Sequence, residues 1–275
     1  MNKTINLLIH ELDRVKYGFI ALIIAIFGLQ IGQVFLTYFH FKTNLTYFKR
    51  ESQGNIVDYV RDYGPISMIN NISESSIFYF SIMLAIVCLL GYCVVIWYRD
   101  WFGKNNFFYR LLSLPGNRIS IYLSKLATIL VMLVILLALQ LIFVYLEQGL
   151  LSLLIPKEVF QTNSVWQIIQ SHQLLRIILP NYVLDLILHY AVGIGSLSVL
   201  FLIILVERSY KWVGLLCSAA TIILACSAVI YISYVELQFN LFPIEWLLLI
   251  IVLSVGISIG AIFVGRYLLE KKISV

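Results

Sequence analysis

Residues 119–146 read ISIYLSKLATILVMLVILLALQLIFVYL, a run of 28 residues with no charge after Lys125. A transmembrane strand alternates in character over about 10 residues. This run is too long for that, so it is read as a helix. A helix pairs all of its backbone N–H and C=O groups internally, as hydrocarbon demands, and about 20 apolar residues suffice to cross it. Working outward from this run, five more spans follow at Gly18–Phe39, Ile77–Tyr98, Tyr182–Val206, Trp212–Val235 and Ile244–Val264. Composition agrees: 61% of the 275 residues are hydrophobic and 12% charged, against roughly 45–50% and 25% in a soluble domain. Such a chain is neither a soluble globule nor a disordered one, which needs low hydrophobicity and high charge. The expected fold is all-α and polytopic, a six-helix transmembrane bundle forming one domain over residues 1–275.

Basic residues set the orientation. With the N-terminus inside, 13 of the 19 Lys and Arg face the cytoplasm, among them Lys3, Arg14, Arg99, Arg110, Arg118, Lys125 and Arg266. That excess follows the positive-inside rule and places both termini in the cytoplasm. The net charge of +5 is thus a topology signal, and no basic groove-binding patch points to nucleic acid. Aromatic residues such as Tyr79, Tyr145, Trp97 and Trp212 fall at span ends, where they meet membrane interfaces. The first span is longer than a signal-peptide core and lacks a clean cleavage site, so it is expected to be retained.

Between the spans, three stretches stand out. In residues 1–17, Ile5, Leu8, Ile9, Leu12 and Val15 recur at helical spacing, with Asn6, His10, Asp13 and Arg14 on other faces. This is an amphipathic helix expected to lie on the inner leaflet, as an anchor or as a working elbow. The cytoplasmic loop 99–118 has Gly103 to break the descending helix and Asn105 to cap a short one carrying Phe107, Phe108, Leu111 and Leu112 on one side and Arg110 on another. Leu114-Pro115-Gly116 then stops it. Such a short crosswise helix suits docking into another protein's groove, or lying on the membrane surface without a partner. The extracellular segments are expected at 40–76, which is mixed in charge, and at 147–181, where Ser164-Val-Trp-Gln167 forms a capping-box pattern. The latter reads as a helix lying on the outer leaflet.

The chemistry of enzymes is missing. There is no phosphate-binding Gly-x-x-x-x-Gly-Lys-Ser/Thr loop and no His-Glu-x-x-His zinc motif. Ser196, in Gly193-Ile-Gly-Ser196, has no base placed to activate it. Cys88, Cys93, Cys217 and Cys226 are scattered through spans and frame neither a metal site nor a disulfide. No catalytic, cofactor-binding or metal-ligating residue is expected. Asp185, with His189 one turn later, is an intramembrane acid–imidazole pair. It reads either as a proton relay or substrate contact, or as a structural pair near a helix N-terminus. Gly256 and Gly260 form a Gly-x-x-x-Gly for close packing within or between subunits.

Taken together, these features resemble the type-2 permease family of ATP-binding cassette (ABC) transporters. The resemblance covers essentially the whole chain: the Glu11-Leu-x-Arg14 elbow, six spans with both ends inside, the loop Asp100…Gly103…Arg110-Leu-Leu-Ser-Leu-Pro115…Arg118 with Lys125 following, and the Leu-Leu-Glu-Lys-Lys tail from Leu268. Asp100 stands where the family often has Glu, and Gly103-Lys104 where it often has Gly-Thr. The resemblance implies that Asp100, Gly103, Phe107, Phe108, Arg110, Leu111, Leu114, Pro115 and Arg118 form a coupling helix and its flanks. That helix would dock on a separate cytosolic ATPase, which holds the ATP and magnesium; Glu11 and Arg14 mark the elbow beside it. A second copy or a related permease would complete the pathway in a bacterial cell membrane. The outer connection Glu236–Pro243 is short, whereas many members place membrane-dipping helices there. The outer segments and apolar bundle suit export of a lipophilic or amphipathic cargo, such as an antimicrobial peptide. Two other functions share some of these features: a non-transporting membrane sensor or assembly subunit, and a proton-coupled secondary transporter using Asp185 and His189.

Overall fold

A computed structural model of the chain describes residues 3–52, 54–102, 117–210 and 243–272. In chain order the first elements are α1 (Lys3–Ser52), α2 (Ile56–Tyr63), β1 (Ile66–Ser67), α3 (Met68–Glu74) and α4 (Ser76–Phe102). They are followed by α5 (Ile119–Leu154), β2 (Phe160–Gln161), α6 (Val165–Ser171), α7 (Gln173–Ile178), α8 (Val183–Tyr210) and α9 (Pro243–Tyr267), which ends in a π-helical turn at Leu268–Lys272. Proline supplies the punctuation: Pro65, Pro156 and Pro180 fall between elements and Pro243 opens α9, where its missing N–H costs nothing.

Five helices, α1, α4, α5, α8 and α9, are long and apolar enough to cross a membrane. Only 17–28% of the residues in their apolar windows are buried within the chain. An apolar surface of that extent is not sustained in water; lipid is the environment that accommodates it. The chain is therefore an all-α polytopic membrane protein. The expected fifth span, Trp212–Val235, lies outside the described residues.

In the N-terminal segment the amphipathic stretch continues without a break into the first span, as one α1 helix of 50 residues. Nothing in the sequence stops it: the first proline is Pro65, and Gly18 costs only about 1 kcal/mol relative to Ala. Its exposed face carries Ile5 and Ile9, whereas Glu11 is 3% exposed. Segment 40–76 is largely helical, because α1 continues through its first 13 positions and α2, β1 and α3 follow. In segment 147–181 the capping box forms as read: Ser164 Oγ accepts from Gln167 N at 3.2 Å, and Gln167 Oε1 accepts from Ser164 N at 3.1 Å. The helix it starts ends at Ser171, and His172 caps a second one by accepting from Leu175 N at 3.4 Å. Ile168, Ile169 and Leu175 are buried in protein, so one face of these helices packs into the unit 2 core.

The described chain falls into two compact units: unit 1 comprises Met1–Val15, Leu89–Val131 and Tyr182–Val275, and unit 2 comprises Lys16–Cys88 and Met132–Asn181. The centre of unit 1 is an aromatic trio. Phe201 meets Trp97 at 5.3 Å and Tyr122 at 5.5 Å, both edge to face, the favoured arrangement for ring quadrupoles. Tyr122 also donates to Ser198 O at 3.1 Å. Unit 2 is built around Phe41, Phe48, Tyr59, Met68, Phe78 and Leu151. There β1 pairs in parallel with β2, Ile66 opposite Phe160 and Ser67 opposite Gln161.

Candidate functional site

Unit 1 holds a buried charge cluster drawn from three helices. Glu11 and Arg14 come from α1, Arg99 and Asp100 from the last turn of α4, and Lys125 from the second turn of α5. Lys125 and Asp100 are fully buried. Isolated charges in such surroundings are prohibitively costly, so each must be met by an opposite charge or a dipole. Lys125 Nζ donates to Glu11 Oε1 at 2.9 Å, to Ile96 O at 2.8 Å and to Asp100 Oδ2, which uses all three ammonium protons. The second oxygen of each carboxylate takes an arginine: Arg99 Nη2 reaches Glu11 Oε2 at 2.5 Å, and Arg14 Nη1 reaches Asp100 Oδ1 at 2.6 Å. The Trp97 ring lies 5.3 Å from the ammonium group and adds a cation–π contact.

Electrostatics explains why Asp100 needs two cations. It sits at the C-terminal end of α4, where the helix dipole disfavours an anion and favours Arg99. Arg14 and Lys125 reverse that local preference. The cluster therefore fixes where α4 ends, and Asp100 is also the start of the loop read above as a docking element.

The other end of that loop is fixed by different means. Arg118 Nη1 donates to Leu269 O at 2.8 Å and to Glu270 O at 3.4 Å. Those carbonyls belong to the π-helical turn, whose Leu268 and Leu269 are buried in the unit 1 core. Gly103, Phe107, Phe108, Arg110, Leu111, Leu114 and Pro115 lie outside the described residues.

Of the residues singled out in the sequence, Glu11, Arg14 and Asp100 thus converge, and Arg118 anchors separately. Arg99 and Lys125 complete the cluster, though the sequence reading gave neither a role in it. The signal was present: a lysine seven positions into an apolar run is a costly placement that calls for a partner. Asp185 and His189 are arranged differently from the side-chain pair expected. His189 Nδ1 donates to the Asp185 backbone carbonyl at 2.6 Å, a local bond within one helical turn that leaves the carboxylate out. The described residues contain no group of three or more His, Cys, Asp or Glu able to hold a metal ion. Cys88 and Cys93 are free thiols.

No protein-family model, no curated protein and no solved structure matches this chain.

Proposed function

We propose that the chain is the membrane-spanning permease subunit of an ATP-driven ABC exporter, coupled through loop 99–118 to a separate cytosolic ATPase. The observation that carries this reading is the double engagement of Lys125 with Glu11 and Asp100. A loop that transmits force needs rigid roots. One root is tied into three helices through the charge cluster, and the other is held by Arg118 on the buried tail. A displacement applied between the roots is then passed to α1, α4 and α5 together and is not absorbed locally. The sequence has no Gly-x-x-x-x-Gly-Lys-Ser/Thr loop, so in this reading the energy enters through a partner whose shape changes on ATP binding. The cargo that suits the apolar bundle is lipophilic or amphipathic, an antimicrobial peptide being one example. A second permease, identical or related, completes the pathway; Gly256 and Gly260 have nothing within 4 Å of where a Cβ would stand and leave one face of α9 open for close helix packing.

The test is affinity purification of the tagged chain from native membranes in mild detergent, with co-purifying proteins identified by mass spectrometry. An ABC ATPase is expected, and it should be lost when Phe108 and Arg110 are both replaced by Ala while insertion and folding persist. Recovery of a folded chain with no ATP-binding subunit would remove the energy source from the proposal. Recovery of the ATPase without cargo movement in reconstituted vesicles would instead favour a sensor or assembly subunit.

A further inference from the structure

Unit 2 contains an open groove of about 650 Å³ between α1, α2, α3 and the start of α4, within the usual range of roughly 300–1,000 Å³ for small-molecule sites. One wall is a polar stripe on α1. Gln33, Thr37, His40 and Asn44 line the groove at alternating spacings of three and four, and so share one helical face. The opposite wall supplies Asn70 and Asn71 from α3. Gln33 Nε2 and Thr37 Oγ1 both donate to Asn71 Oδ1, at 3.2 and 2.5 Å. That consumes the oxygen of Asn71 and leaves its buried Nδ2 without a hydrogen-bond partner among the described residues. The stripe continues into the apolar run at Gln30, whose Nε2 donates to Ser81 Oγ at 3.0 Å and Gln140 Oε1 at 3.1 Å. A buried amide donor left without a partner is unfavourable, so Asn71 Nδ2 beside the groove calls for a hydrogen-bonding group.

The lining states what kind of group that is. Among the described residues no Asp, Glu, Lys or Arg lines the groove, and His40 is its one basic side chain, so a phosphate, carboxylate or ammonium meets no fixed full charge there. Each carboxamide both donates and accepts, as does a hydroxyl, so the two pair in either sense. An aromatic platform stands beside them: Tyr63 is 69% exposed and stacks at 5.0 Å and 22° on the buried Tyr59. Gly64, at φ +79, turns the chain out of α2 at this point, a conformation that favours glycine. Planar amides beside an open ring face suit a sugar, which presents vicinal hydroxyls at its rim and C–H bonds on its face.

We propose that this groove binds an uncharged glycosyl group, carried by a free saccharide or by the headgroup of a glycolipid. Leu36 and Ile77 line the groove from the apolar runs of α1 and α4, so a lipid-borne sugar also has an apolar margin at the site. Every lining residue belongs to unit 2, and the proposal stands whether or not an ATPase partner is found.

The experiment uses the full chain, purified in a sugar-free detergent and reconstituted into phosphatidylcholine nanodiscs. Maltose is titrated and followed by saturation-transfer-difference NMR. In parallel, native mass spectrometry measures retention of monoglucosyl diacylglycerol against phosphatidylcholine. Expected is a maltose signal, a glucolipid preference of at least tenfold, or both. A maltose response assigns a site for soluble sugar, and glucolipid preference alone assigns a headgroup site. Asn71→Leu should reduce binding at least tenfold. Tyr63→Ala and Asn44→Ala, at exposed positions, should each reduce it severalfold in protein whose thermal melt shows it folded, and keep the test decisive if Asn71→Leu fails to fold. Absence of both signals, or binding unchanged in Tyr63→Ala and Asn44→Ala, overturns the proposal.

Discussion

At the scale of single residues, Lys125 is the position with most at stake. Removing one member of a buried ion pair costs about 3–5 kcal/mol, because the abandoned partner keeps its desolvation penalty. Lys125→Met strips a cation from both Glu11 and Asp100. Its thermal unfolding in detergent should fall well below that of the parent, and adding Glu11→Gln should recover part of the loss, a coupling that a double-mutant cycle measures. His172 gives a pH signature. Burial beside Phe78 and Tyr79 lowers its pKa to about 4, against about 6.5 in an unfolded chain. The folded state therefore holds it neutral, and its contribution is fully present above pH 6.5 and is lost as pH falls toward 4. The loss amounts to about 3 kcal/mol. Protonation at Nδ1 also removes the acceptor that caps α7. Thermal melts between pH 7 and 4.5 should steepen through this residue, and His172→Asn, which keeps a capping acceptor, should flatten the dependence.

At the scale of elements, α9 has two faces that respond oppositely to the same change. A Cβ at Gly265 would stand 3.1 Å from Tyr122 Cε2, and that ring is fixed by Trp97, Phe201 and its bond to Ser198. Gly265→Ala should destabilise the protein by about 1–3 kcal/mol, as overpacking does. Gly256→Ala, with open space around it, should leave the melting temperature unchanged or raise it. Paired thermal melts check both. The elements themselves were largely legible beforehand, because span length, proline placement and the Ser164 capping box are local properties. What was not legible is which side of an element is buried. The apolar spacing of Ile5, Leu8 and Ile9 marks a face for the leaflet, and Ile5 and Ile9 are exposed, but it gives no sign that Glu11 is buried. That choice is made by Arg99 and Lys125, which lie 88 and 114 positions away, and no local pattern carries it. The break at His172 was hidden for a similar reason, since Ile168, Ile169, Leu175 and Leu179 keep a helical spacing across it and the cap depends on a tertiary pocket.

At the scale of the whole molecule, composition alone decides the membrane class, because no arrangement of so apolar a chain conceals its surface from water. The candidate site was half legible. Glu11, Arg14 and Asp100 were singled out by the resemblance, but their convergence is a property of packing among α1, α4 and α5. The groove in unit 2 was not legible at all, since Gln33, Thr37 and Asn71 are unremarkable until α3 folds back upon α1. The charge cluster has one more consequence, and it concerns how the protein is made. During synthesis the members emerge in the order Glu11, Arg14, Arg99, Asp100 and Lys125. Both carboxylates are thus already at the membrane when the buried lysine arrives, and neither anion waits alone, since an arginine adjoins Asp100 and follows three residues after Glu11. Insertion of the third span is thereby favoured by the two before it, and only a nascent chain missing both would present an unneutralised ammonium to the bilayer.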